Sequence, residues 1–165
     1  MALGMAEGVA GCTLCLGAES DKELERVQIW EDELWRLTTA REGELLGFSY
    51  LEPKRHIPHI TDLDGEESRT FGTVLARTTS AIRDATGAEV VYIYVFGSGI
   101  PHLHLHLAPH RRGDPLNDRM IRGEVTESHL PSGATSFVSR DFPRLPLSQH
   151  EEVRARLVRA LSKPC

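Results

Sequence analysis

Residues 102–107 read His-Leu-His-Leu-His-Leu, with Ala108 and Pro109 following. In an extended strand successive side chains point to opposite faces. His102, His104 and His106 are therefore expected on one face, and Leu103, Leu105 and Leu107 in a core behind it. A single strand histidine is usually structural, satisfied by a hydrogen bond. Three at period two, backed by three leucines, are costly to bury without a role. Imidazole titrates near neutrality and serves as nucleophile, proton carrier or metal ligand, so the row reads as catalytic or metal-binding.

The chain has 165 residues, 40% of them hydrophobic and 26% charged, which fits one globular domain over residues 1–165. A net charge of −5 argues against a broad nucleic-acid surface but leaves room for a small pocket that takes a phosphorylated ligand. No apolar run approaches a membrane span. The start, MALGMAEGVAGCTLC, lacks the basic and apolar regions of a signal peptide, and three cysteines make no secreted disulfide framework. A cytoplasmic location is the expectation. Taken alone, Cys12-x-x-Cys15 is open between a metal-binding pair, a redox pair and two free thiols.

Residues 27–37 predict two short strands around the acidic turn Glu31-Asp32-Glu33, and residues 45–51 a third strand that ends at Pro53. Asp64 and Glu67 have the spacing of a capping box ahead of a helix, with Phe71, Val74, Leu75, Thr78 and Ile82 on one face and Gly87 as terminator. Residues 89–96 (EVVYIYVF) predict a strand buried on both faces. Gly97-Ser98-Gly99 then turns the chain into the histidine strand, as an antiparallel hairpin. Residues 113–147, punctuated by glycine and proline, read as an irregular region with room for a lid over the histidines. A final helix is expected over 148–162, starting at Ser148 with Glu151 three positions on, burying Val153, Leu157 and Leu161 and packing on the outside. The fold class is α+β.

Pro53-Lys54-Arg55-His56 closes a strand ahead of the helix, the histidine strand follows that helix, Cys12-x-x-Cys15 stands at the front, and Trp30-Glu31-Asp32 lies between. In this order the pieces resemble the histidine triad (HIT) family of nucleotide hydrolases and transferases, over a core of about residues 12–112. The resemblance implies an antiparallel sheet of about five strands, one long packed helix and a C-terminal helix, in a homodimer. It implies that His104 attacks phosphorus to form a nucleotidyl-histidine intermediate, held by a backbone carbonyl at its other nitrogen, and that His106 supports the phosphate oxygens. It also implies a closed structural zinc site made by Cys12, Cys15, His56 and His102.

The chain departs from the family where substrate is held. Gly47-Phe48 stands where members carry Gly-His, and Ala40 where an acidic residue grips the ribose; Glu42 and Glu44 lie close by. The loop Phe96-Gly97-Ser98-Gly99-Ile100-Pro101 lacks the usual Asn and Gln. Ser98 and Gly99 are the remaining phosphate-binding candidates there, the other reading being turn geometry alone. Trp30 and Trp35 fit core packing or a base contact, and Arg111-Arg112 a solvated pair or a phosphate clamp. The resulting expectation is a hydrolase or transferase for a nucleotide or related phosphorylated small molecule. The alternatives are a phospho-ligand-binding protein without catalysis and an enzyme with an open three-histidine metal site.

Overall fold

A computed structural model describes residues 9–112, 125–139 and 143–163. Five strands form one antiparallel sheet: β1 (Arg26–Glu31), β2 (Trp35–Ala40), β3 (Ser49–Pro53), β4 (Val90–Tyr94) and β5 (Leu105–His110), in the order β1-β2-β3-β5-β4. A short helix, α1 (Ala18–Glu23), precedes β1; the long α2 (Gly65–Thr86) joins β3 to β4; and α3 (Leu147–Leu161) closes the chain. The α+β fold, its five strands and its two principal helices are those expected.

Alternation divides the sheet into two faces. Leu37, Leu51, Leu105 and Leu107 meet Val74, Ala81, Ile82 and Ala85 of α2 and Val153, Leu157 and Leu161 of α3 in one apolar core. Each fully buried leucine contributes about 1.5–3 kcal/mol. α3 buries its Val153, Leu157, Leu161 stripe as expected, Leu157 completely, because these residues recur at helical spacing, and through it the helix joins the same core as α2. Trp35 also belongs to this core, donating from Nε1 to Thr70 Oγ1 at 2.9 Å, so it contacts no base.

The opposite face is polar and aromatic. Register sets Thr38 beside Tyr50 and Tyr50 beside His106, which in turn faces Tyr94. Glu52 is buried between Arg26 at 3.2 Å and Arg36 at 3.0 Å, and Arg36 also holds Gln28 at 2.9 Å and Asp21 of α1. These buried charges pair with one another, and each would be costly to leave alone.

Four local readings change. β4 is an edge strand, exposed at Val90, Tyr92 and Ile93, because β5 inserts between it and β3; its β-branched run is not covered on both faces. β3 starts at Ser49, because Gly47 has φ +76° and a Cβ there would meet Thr86 at 2.6 Å. Asp64 does precede α2, but both it and Glu67 bind Arg55 in place of a capping box. Likewise α3 starts at Leu147, one residue before Ser148, without a side-chain cap. Gly87 ends α2 in the left-handed conformation as expected.

Part of the region read as irregular is a hairpin, β6 (Val125–His129) and β7 (Thr135–Ser139), turned at Gly133 with φ +86°. It packs Leu130 and Ala134 on Cys12, Leu14 and Ile100, while the Ser132 N–H donates to Glu23 at 3.0 Å. This docking is on the N-terminal segment. Residues 113–124 and 140–142 of the expected lid lie outside the described residues.

Candidate functional site

The histidine row does not act as one unit. β5 begins at Leu105, so His106 sits in the strand, while His102 lies in a bend and His104 in the short stretch that leads into the strand. The leucines alternate into the core as expected, Leu103 and Leu105 each 1% exposed and Leu107 0%.

His102 turns toward the cysteines. A 3₁₀ turn over Leu14–Leu16, with Cys15 N–H on Cys12 O at 3.2 Å, brings both thiols to the same side. Leu103 N–H donates to Ile57 O at 2.6 Å, which lays the His56 and His102 segments together. His102 Nδ1 lies 3.4 Å from Cys12 Sγ and 3.5 Å from Cys15 Sγ, and His56 Nδ1 lies 3.3 Å from Cys15 Sγ. All four donor atoms fall within 4.8 Å of one another. Tetrahedral zinc, with Zn–S near 2.3 Å and Zn–N near 2.0 Å, requires S···N edges of about 3.5 Å, so the donor set fits that ion. His102 Nε2–H donates to Pro53 O at 2.8 Å, leaving the Nδ1 lone pair facing the thiols, where it could ligate a metal. Burial pushes the Cys15 thiol up to about 11; a dication is what would favour its thiolate.

His104 is buried, and its Nδ1–H donates to His102 O at 2.6 Å. That bond fixes the tautomer and puts the lone pair on Nε2. Burial also lowers its pKa, which keeps the ring neutral. His106 lies 5.2 Å from His104 between ring centroids. Burial first, then the charges of His104 and Arg26, takes His106 down to about 3.

Because His106 stays neutral in the folded chain while an unfolded histidine protonates near 6.5, acid favours unfolding. The loss begins as pH falls below about 6.5 and continues toward about 3, and this group alone accounts for about 2 kcal/mol at pH 5. Urea denaturation at pH 7.5 and pH 5 is expected to show a smaller acid loss for His106→Phe than for the native chain. Equal losses in the two proteins would contradict it.

The loop candidates are less enclosed: Ser98 is exposed and Gly99 half-buried. Glu42 is taken by Arg144 at 2.9 Å. Arg111 and Arg112 are exposed. Among the described residues the metal-capable group is the Cys12, Cys15, His56, His102 set. With His102 turned into it, the open three-histidine metal site is not formed.

Sequence reasoning missed the side chains around His106. Phe48, Tyr50 and Phe96 set their rings 5.9, 5.1 and 5.2 Å from it, and the Arg26 guanidinium lies 3.7 Å over the Tyr50 ring. The signal was present as the period-two series Phe48, Tyr50, Glu52, but only strand register shows which histidine it meets.

A family profile described as HIT domain matches residues 21–113. Among curated proteins none matches the chain. A Zn-bound histidine triad family protein from Mycobacterium smegmatis superimposes with TM-score 0.60 at 23% identity, over 92% of this chain and 93% of its own. A hypothetical histidine triad nucleotide-binding protein from Sulfolobus tokodaii gives 0.62 at 22%, over 91% of each. A histidine triad protein from Sinorhizobium meliloti gives 0.65 at 19%, over 96% of this chain and 100% of its own. At these identities the likeness is one of fold.

Proposed function

The chain belongs to the histidine triad (HIT) family, and from that membership we propose that it is a hydrolase or transferase acting on a nucleotide or related phosphorylated small molecule through a covalent histidine–phosphorus intermediate. The observation that carries the reading is the 2.6 Å bond from His104 Nδ1–H to the His102 carbonyl. It makes Nε2 the nucleophilic nitrogen and pre-sets the ring direction.

In the first step His104 Nε2 attacks phosphorus, and the bond to the leaving group breaks with its electron pair going to the departing oxygen or nitrogen. In the second step water, or another acceptor, attacks the same phosphorus. The P–N bond breaks, its pair returns to Nε2, and the acceptor's proton passes to solvent. Neutral His106 donates a hydrogen bond to the phosphate oxygens as charge grows on them, with Ser98 and the Gly99 backbone assisting. Cys12, Cys15, His56 and His102 would hold zinc; the family, the fit of the donor set and the Zn-bound neighbour support that ion. Bound there, zinc supplies a structural crosslink, since four protein ligands complete its tetrahedron. The nucleotide-binding description of the S. tokodaii neighbour supports the substrate class. Incubation with α-³²P-labelled nucleotides and phosphoramidates, followed by alkaline quench, is expected to trap a base-stable, acid-labile adduct. Full panels without adduct or turnover, with ligand binding retained, would favour a non-catalytic binding protein.

A homodimer accompanies this reading. The β4 edge exposes Val90, Tyr92 and Ile93, with Val95 exposed just beyond it, and α3 exposes Leu147 and Val158; unpaired apolar edges invite a second strand. Light scattering is expected to give twice the chain mass, and Ile93→Lys to give the monomer. A monomeric native chain would refute it. Among the described residues no helix is long and apolar enough to cross a membrane. Thiol cysteines at the proposed metal site suit a reducing compartment, and the reading takes the protein as cytoplasmic.

A further inference from the structure

Beside the nucleophile the site is walled by rings. Phe48, Tyr50 and Phe96 all stand edge-on to His106, with interplanar angles of 84°, 72° and 87°. Phe96 is 51% exposed although it touches His106, and a stacked contact with Tyr94 at 5.7 Å and 13° fixes its plane. An open, oriented aromatic ring at a reacting centre is a surface for another apolar group.

Among the described residues, the charge shown beside these rings is already paired. Arg26 lies behind the Tyr50 ring, 3.7 Å from its centroid, and binds Glu52 at 3.2 Å. The other arginine on Glu52, Arg36, is engaged by Glu52, Asp21 and Gln28. The connecting loop carries the exposed Ser98, and His59 Nδ1 lies 3.6 Å from where a Cβ at Gly97 would stand. Those groups, with His104 and His106, suffice for one phosphoryl centre. A leaving pyrophosphate or longer chain would bring several further negative charges against phenyl rings, and such desolvation opposes binding.

We infer that the His106 side of this site receives an aromatic or otherwise apolar group carried on phosphorus, so that the substrate is a phosphoryl monoester or phosphoramidate of an aromatic alcohol or amine rather than a polyphosphate. This rests on the histidine-nucleophile reading for its chemistry. The bond from phosphorus to the aromatic group's oxygen or nitrogen breaks, the electron pair leaves with that atom, and solvent supplies its proton.

Binding separates the idea from turnover. Phenyl phosphate and inorganic pyrophosphate, titrated into the zinc-loaded full chain and followed by calorimetry, are expected to differ by about ten-fold or more in favour of phenyl phosphate. Phe96→Ala is expected to cost phenyl phosphate about ten-fold while leaving pyrophosphate within about two-fold; Phe96→Tyr is expected to keep the preference. Pyrophosphate binding as tightly as phenyl phosphate, equal losses of both in Phe96→Ala, or binding of neither would overturn the inference. Phenyl phosphate preference without label on His104 would remove the catalytic reading alone. Label on His104 with pyrophosphate preferred would remove this one alone.

Discussion

His104→Ala is expected to eliminate the trapped phosphorus adduct and to lower turnover by roughly 10⁴-fold or more, since loss of a covalent nucleophile leaves only binding and electrostatic contributions. The fold should survive the change. His104 contributes one hydrogen bond to the His102 carbonyl, and the core on the other face of the sheet does not depend on it. A folded, ligand-binding variant that makes no adduct is therefore the expected result, checked by circular dichroism beside the labelling assay. His106→Ala, in contrast, should slow both steps by about 10²–10³-fold while the adduct still forms, because removing one donor to a developing oxyanion weakens the transition state without abolishing the route. Full labelling of His104→Ala would show that another group attacks phosphorus. Equal and complete loss in both variants would mean that the two histidines cannot be assigned separate roles.

The difference between these residues was only partly legible in the chain. Period two correctly put Leu103, Leu105 and Leu107 into the core, and the order of motifs indicated the family. The backbone bond that orients His104 carries no side-chain signature, because any residue at 102 offers a carbonyl. Nor could the alternation reveal that His102 leaves the row: its ring follows Cys12 and Cys15, which lie 90 and 87 residues away along the chain. The apolar run at 89–96 misled for a related reason. Apolar composition at β4 does not reveal where in the sheet the strand sits, and the order β1-β2-β3-β5-β4 leaves it at the edge. In sequence Phe48 reads as the loss of a family histidine, and Phe96 only as the start of a loop that lacks the usual Asn and Gln. Register turns them into a shared aromatic wall, which is a property of pairs of strands and not of either segment alone.

Removing the metal is expected to destabilise the protein by about 4 kcal/mol or more, which for a chain of this size lowers Tm by about 10 °C or more. Elemental analysis of protein purified without chelator should give about one zinc per chain. The expectation follows from what the four ligands join. Cys12 and Cys15 belong to the N-terminal segment, His56 follows β3 and His102 precedes β5, so one ion would crosslink three stretches, two of which reach the main core through Ile57 and Leu103 beside the ligands. Around them, Leu14, Ile100, Leu130 and Ala134 form a small second cluster, too limited to hold the segments firmly by apolar burial alone. The docked β6–β7 hairpin should loosen with them, and faster limited proteolysis within 125–139 after chelation would record it. Activity should fall as well, although the ion touches no substrate, because His102 carries both the ligand nitrogen and the carbonyl that aims His104. Cys15→Ser tests this without a chelator, since an alcohol of similar size is a poor zinc ligand at neutral pH. The variant should lose zinc and thermal stability together, and should label His104 more slowly at saturating substrate. An unchanged Tm in metal-free protein would show that the four side chains pack adequately by themselves and that no ion organises the approach to the nucleophile.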